Sequence, residues 1–218
     1  EPDARLDYKF VTNGSNWILD PRNPNTCLGG YGPNSELRMP AYRFPEEINY
    51  RAAIPHGRFF DTTFYSVNLF NTRQVRVYLP PDGSTRADSC GLLVFHDGLE
   101  FVGLAAANNV LDYLLWQQAI EPVVAVFIPP VNRTPEYAGN QRGQFTDFIV
   151  QEIMPWLLKK YPIYRSPRWH ATLGASNGGN IALWLGVSHP EVFGKVAAFS
   201  SNVQSDISNL IATGPPLP

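Results

Sequence analysis

Beyond about Phe44 the chain alternates between short apolar runs and longer amphipathic stretches. The runs in "GLLVFHDG", "PVVAVFI", "WHATLGAS" and "KVAAFSS" are continuously apolar over strand length, the pattern of strands buried on both faces. Between them, Ala105–Gln118 carries Val110, Leu111, Leu114 and Leu115 at helical spacing. Phe145–Tyr161 carries Phe148, Ile149, Ile153, Trp156 and Leu157 on one stripe, and a further helix is predicted over Ile181–Ser188. Strand alternating with helix predicts right-handed crossovers and a doubly wound, mostly parallel sheet. Ahead of these, "FFDTTFYSVNLFNTRQVRVYLPPDG" alternates at period two, with Tyr65, Val67 and Leu69 on one strand and Val75, Val77 and Leu79 on the next. Asn71 and Thr72 are the expected hairpin turn.

The first forty residues follow neither rule. Tyr8–Val11 and Trp17–Leu19 read as two short strands around an Asn-Gly turn. Asp-Pro, Asn-Pro, Gly-Gly and Gly-Pro pairs then predict a long irregular connection. The expected organisation is therefore residues 1–43 as a small β appendage with its linker, and 44–218 as an α/β domain.

Composition narrows the partners. Of 218 residues, 44% are hydrophobic and 17% charged, enough apolar material for one sizeable domain. A formal net charge of -2 argues against a nucleic-acid or anionic-membrane partner, either of which favours a basic face. No apolar run approaches the ~20 residues of a membrane-spanning helix. Cys27 and Cys90 are too few for a metal cluster, and two unrelated thiols are expected rather than a bridge. Low lysine with 20 prolines and 13% aromatics tilts toward an exported protein.

Candidate chemistry centres on "HATLGASNGGNIALWLG", where an apolar strand runs through Gly174-Ala175-Ser176-Asn177-Gly178 into a helix. G-x-S-x-G in that setting is a nucleophile elbow. A sharp strand-to-helix turn lifts the Ser176 hydroxyl above the sheet edge, and glycines let neighbouring backbone come close. The following helix aims its free N–H groups at the same place, so Asn177 N–H is one expected oxyanion donor. The second is expected from "FHDGLEF", with Gly98 or Leu99 supplying the N–H. His96 in that turn reads as shaping the loop, with substrate contact the alternative. "NRTPEYAG" follows the strand Val123–Ile128 at the same sheet edge, where open α/β sheets bind ligands. Arg133 and Glu136 lie there either to contact substrate or to form a local ion pair that braces the loop.

The segment Phe44–Val203 resembles the esterase branch of the α/β-hydrolases, which includes enterochelin (siderophore) esterases, feruloyl and acetyl-xylan esterases and S-formylglutathione hydrolase. The resemblance rests on "TRQVRVYLPPDG", "LLVFHDGLEF", "NRTPEY", "FIVQEIMPWLLKKYPI" and "GASNGGNIALWLGVSHPEVFGKVAAFSS", in collinear order over about three quarters of the chain. The "HDG" turn and the "R-x-x-E-Y" loop are most similar to the enterochelin-esterase-like members. The early "YKFVTNGSNWILDP" resembles the closing hairpin of the immunoglobulin-like or carbohydrate-binding-like domain that precedes some of them. The resemblance implies a serine carboxylic ester hydrolase with a Ser–His–acid triad, an acyl-enzyme, and neither metal nor organic cofactor. It implies a siderophore-like, feruloyl, acetyl-polysaccharide or other small ester as substrate.

The triad is the exception. In this fold the acid and then the histidine follow the serine, and no histidine lies beyond His189. His189, in "SHPEVFG", is expected to cap the nucleophile helix. Asp206 comes too soon after the strand "KVAAFSS" to be a convincing acid. "LIATGPPLP" stops where a further core strand is expected, so the C-terminal part of the fold reads as incomplete. Alternatives to a hydrolase are an inactive binding or interaction module of this fold, or an acyltransferase that transfers mycolyl or diacylglycerol acyl groups.

Overall fold

The computed structural model describes residues 1–81 and 90–214, in two compact units, Glu1–Asn49 and Tyr50–Pro218. The C-terminal residues 215–218 and the end of the "LPPDG" motif lie outside the described residues.

In the first unit, β1 (Arg5–Tyr8), β4 (Thr26–Gly29) and β5 (Gly32–Arg38) form an antiparallel sheet in the order β1-β5-β4. Between them, β2 (Phe10–Thr12) and β3 (Asn16–Ile18) pair across Asn13 and Gly14, whose φ of 51° and 76° match the Asn-Gly turn expected there. The stretch expected to be irregular is in part a second hairpin. Gly29 pairs with Gly32, so the glycines close a tight turn around Gly30 and Tyr31 instead of ending regular structure. Buried Glu36 pins this sheet through Arg5 and through Arg38, the latter at 2.6 Å.

The second unit carries a six-stranded sheet. Its antiparallel hairpin is β6 (Arg58–Ser66) and β7 (Asn71–Leu79); β8 (Gly91–His96), β9 (Val123–Ile128), β10 (His170–Ala175) and β11 (Lys195–Phe199) are mutually parallel. The order is β11-β10-β8-β9-β7-β6, with β7 antiparallel to β9. The hairpin turn spans 67–70, not Asn71 and Thr72. Ser66 pairs with Asn71, Phe70 takes φ 51°, and Leu69 N–H donates to Ser66 Oγ, so Val67 and Leu69 belong to the turn.

Seven α-helices accompany the sheet among the described residues: α1 (Gly98–Ala105), α2 (Ala107–Trp116), α3 (Arg133–Ala138), α4 (Arg142–Asp147), α5 (Met154–Lys160), α6 (Asn177–Ser188) and α7 (Ser205–Thr213). Ala106, left-handed at φ 48°, separates α1 from α2 where the periodicity predicts one helix from Ala105. A π-helical stretch, Phe148–Ile153, joins α4 to α5 within the second predicted helix. The "NRTPEY" segment, expected as a loop, winds into α3.

The central strands explain their apolar composition. Val124, Val126 and Ile128 of β9 face a cluster with Tyr137, Phe148, Ile181 and Leu185. Val123, Ala125 and Phe127 face the other way, toward Phe95, Ala107 and Leu111. Alternate residues therefore enter two cores, one on each side of the sheet. Because β8 to β11 run parallel, their C-terminal ends share one edge. There the residues directly after β8, β10 and β11 are left-handed without being glycine: Asp97 (φ 57°), Ser176 (φ 55°) and Ser200 (φ 44°). Such geometry costs of order 1–3 kcal/mol per residue and collects at functional sites.

Candidate active site

Ser176 leaves β10 at φ 55°, ψ -119° and its successor Asn177 opens α6. This conformation fits only if the flanking positions lack side chains. A Cβ on Gly174 would collide with the Gly178 carbonyl group, and one on Gly178 would come within 2.7 Å of Asp97 Oδ2. A Cβ on Gly179 would press on Ser201 Cβ at 3.0 Å. The motif Gly-x-Ser-x-Gly-Gly is thus a record of one close backbone approach, at Gly174, and two close side-chain approaches, by Asp97 and Ser201. The backbone of Ser176 is held from β11, its N–H donating to the Phe199 carbonyl at 2.9 Å. Its side chain is exposed.

The turn after β8 comes up beside it. Gly98 begins α1 against β9, where a Cβ would strike the backbone of Phe127 and Ile128. The N–H groups of Gly98 and Leu99 at the start of α1, and of Asn177 at the start of α6, belong to first helical turns, which have no intrahelical acceptor for them. The Leu99 side chain turns away, lining a separate depression of about 330 Å³ with Thr62, Gln74 and Arg76.

A cleft of about 270 Å³ opens at this edge, lined by Asp97, Glu100, Phe101, Leu104, Ala105, Arg133, Ala175 and Ser176. One wall is apolar and the floor is charged. The ring of Phe101 lies 6.3 Å from that of Phe199, which ends β11 and is half exposed beyond the lining of the cleft. Arg133 forks onto Asp97, with Nε to Oδ1 at 2.8 Å and Nη2 to Oδ2 at 2.7 Å, and reaches the Ala175 carbonyl at 3.2 Å. A larger depression of about 740 Å³, lined by Lys159, Lys160 and Arg165 among others, is built around the C-terminus of α5, and Ser176 is not among its lining residues.

Two expected contact residues lie beneath the surface instead. Glu136 is wholly buried and pairs with Arg73, not with Arg133, at 2.7 and 3.0 Å; it also accepts N–H bonds from Val131 and Asn132. It braces the loop and has no face left for a substrate. His96 is equally buried, with Nε2 2.9 Å from Thr172 Oγ1 and the edges of Tyr137 and Phe145 around it. Burial without a counter-charge pushes its pKa down to about 3, so it stays neutral under the turn it supports.

No histidine partners Ser176. His56 is bound to Asp112, His96 to Thr172, His170 to the Tyr164 and Val192 carbonyls, and His189 to Glu191, which accounts for all four in the sequence. His189 sits at the far end of α6, ~20 Å along the helix from the serine. Asp206 lies in the first turn of α7, paired with Arg142, which holds its carboxyl below the usual range. Asp97 and Tyr137 are the residues sequence reasoning missed. Both sit inside the quoted "HDG" and "R-x-x-E-Y" motifs, yet nothing in their spacing reveals that the motifs meet.

Comparison with known proteins agrees with this architecture. Residues 66–210 match the family described as "Putative esterase". Among curated relatives, the chain is 28% identical over 189 residues to an iron(III) enterobactin esterase of Escherichia coli O6:H1, covering 85% of this chain and 46% of that one. It is 27% identical over 144 residues to the uncharacterized protein YbbA of Bacillus subtilis, covering 60% of this chain and 57% of that one. The crystal structure of the Shigella flexneri enterobactin esterase in the presence of enterobactin superposes with a TM-score of 0.76 at 25% identity, over 92% of this chain and 57% of that one. A CE1 ferulic acid esterase from Anaeromyces mucronatus shares the fold, with a TM-score of 0.61 at 19% identity, over 72% of this chain and 64% of that one. The chain therefore spans roughly half to two thirds of the length of these relatives. The sheet order, the elbow and the family match converge: the chain has an α/β-hydrolase-type fold and belongs to the family described as "Putative esterase".

Proposed function

We propose that the protein is a carboxylic ester hydrolase in which Ser176 is the nucleophile. The observation that carries this reading is the strained Ser176 elbow, exposed at the C-terminal sheet edge and opening onto the 270 Å³ cleft. Ser176 Oγ attacks the ester carbonyl carbon, and the carbonyl oxygen takes the negative charge of the tetrahedral intermediate. The Asn177 N–H and the Gly98 or Leu99 N–H bind that oxygen. Such donors are worth ~3–4 kcal/mol each in the transition state, because they are already oriented when the charge forms. Collapse expels the alcohol and leaves an acyl-serine, which water then hydrolyses.

A free serine hydroxyl is a weak nucleophile, and an imidazole that removes its proton is what activates it. The four histidines of this sequence are all engaged elsewhere, so residues 1–218 alone are expected to hydrolyse esters slowly. The relatives named for enterobactin and ferulic acid esterases support an ester that carries an aromatic group as substrate, and Phe101 and Leu104 give the cleft an apolar surface for such a ring. The alternative is an inactive binding module with the same cleft.

Labelling with a fluorophosphonate in the presence of added imidazole, which supplies the base, followed by peptide mass mapping, separates the two. Covalent capture at Ser176, lost in Ser176→Ala, is the expected result. No adduct on prolonged exposure, or an adduct elsewhere, favours the binding module.

A further inference from the structure

Helix α3 touches both halves of the proposed oxyanion hole, through Arg133 and Tyr137, four residues apart, with buried Glu136 between them. Arg133 binds both carboxylate oxygens of Asp97 in the turn after β8, and the Ala175 carbonyl directly before the nucleophile. Tyr137 is fully buried, and its hydroxyl accepts the Asp97 N–H at 2.9 Å. The carbonyl of Tyr137 accepts from Asn180 Nδ2 in the elbow helix at 2.8 Å. Glu136, between them, fixes α3 to β7 through Arg73. Asp97 is thereby held at both its backbone and its carboxylate, in a left-handed conformation and against Gly178, where a Cβ would press on its Oδ2.

We propose that Arg133 is a positioning residue for catalysis. It ties the turn carrying Gly98 and Leu99 to the elbow carrying Asn177, so that donors from two separate strands converge on one point. The proposal rests on the reading of Ser176 as nucleophile. Convergence matters because an error of about 1 Å in such a constellation costs ~100-fold in rate. A guanidinium suits the task because its planar fork fixes direction as well as distance, which an ammonium on a flexible stem does not. Arg133 and Tyr137 thus hold Asp97 from two sides, while Glu136 anchors the same short helix to β7.

The test uses the whole chain with added imidazole as base and p-nitrophenyl acetate, a neutral ester that offers Arg133 no charge to recognise. Arg133→Gln and Arg133→Lys are both expected to lower kcat about 100-fold and to leave KM within about threefold. Retention of kcat within threefold, or full recovery by lysine, overturns the clamp, because charge alone would then suffice. Amide hydrogen exchange supplies a readout independent of turnover. Peptides spanning 95–105 and 173–180 are expected to exchange faster in Arg133→Lys, with β9 unchanged; unaltered exchange in both peptides overturns the clamp. Wild-type turnover that persists in Ser176→Ala refutes the nucleophile, and the exchange result then still decides the clamp.

Discussion

Helix α3 holds two arginine–carboxylate pairs, and they differ chiefly in burial. Arg73 and Glu136 are 0% exposed, whereas Arg133 is 30% exposed over an Asp97 that is 5% exposed. The buried pair is saturated. Glu136 accepts from Arg73 twice and from two backbone N–H groups, while Arg73 also donates to Asn71 Oδ1 and lies over the rings of Phe145 and Phe148. Nothing in solution reaches it, so it can act only on the fold. The second pair has the same chemistry but borders the cleft and the proposed nucleophile, so it can act on rate. The same bond type does two jobs, and access to solvent divides them.

The largest expected effect comes from breaking the buried pair. Arg73→Met leaves the Glu136 carboxylate without its counter-charge and is expected to cost about 3–5 kcal/mol in chemical denaturation. A loss below about 1 kcal/mol would mean that α3 does not depend on this anchor.

His96 sharpens the comparison, being a buried polar ring with no opposite charge. Its folded pKa, about 3, lies below the ordinary 6.5. The unfolded chain therefore takes up a proton that the folded chain refuses. Stability from this group is complete above about pH 6.5 and falls as pH drops toward about 3, by up to about 1.4 kcal/mol per pH unit. Denaturation midpoints between pH 7 and pH 5 should show this slope, and His96→Gln should flatten it. An unchanged slope in the variant would place the titration elsewhere.

Breaking the cleft pair should be milder for the fold. Arg133→Gln is expected to cost about 1–2 kcal/mol of stability, since solvent screens the arginine while Asp97 is left partly desolvated. A loss as large as that of Arg73→Met would erase the distinction between the two pairs.

The smallest effect is a gain. Ser176→Gly should stabilise the protein by about 1 kcal/mol, because glycine takes φ 55° without strain. Lower stability in the variant would show that the elbow is not strained.

Much of this was legible in the sequence, for definite reasons. The β9 run reads as a buried strand because every residue enters one core or the other, so no polar position interrupts it. The strand-to-helix turn at Ser176 reads from the sequence because Gly174 meets the Gly178 backbone so closely that a Cβ is excluded. The Arg73–Glu136 and Arg133–Asp97 pairings were not legible, since each joins residues far apart in the chain and an ion pair leaves no periodicity. Local signals also misled. The Gly-Gly and Gly-Pro pairs near Tyr31 suggested irregular chain but close a hairpin, and Ala106 breaks an otherwise continuous helical pattern.

The central claim is that Ser176 stands ready in an oxyanion cradle and lacks only a base among these residues. Hydrolysis of p-nitrophenyl acetate by residues 1–218, with and without added imidazole, tests it most directly, with Ser176→Ala subtracting the reaction of imidazole itself. The account predicts slow hydrolysis alone and a Ser176-dependent acceleration by imidazole. Equal rates for the wild-type and Ser176→Ala proteins under both conditions would contradict the nucleophile, and fast Ser176-dependent hydrolysis without imidazole would contradict the missing base.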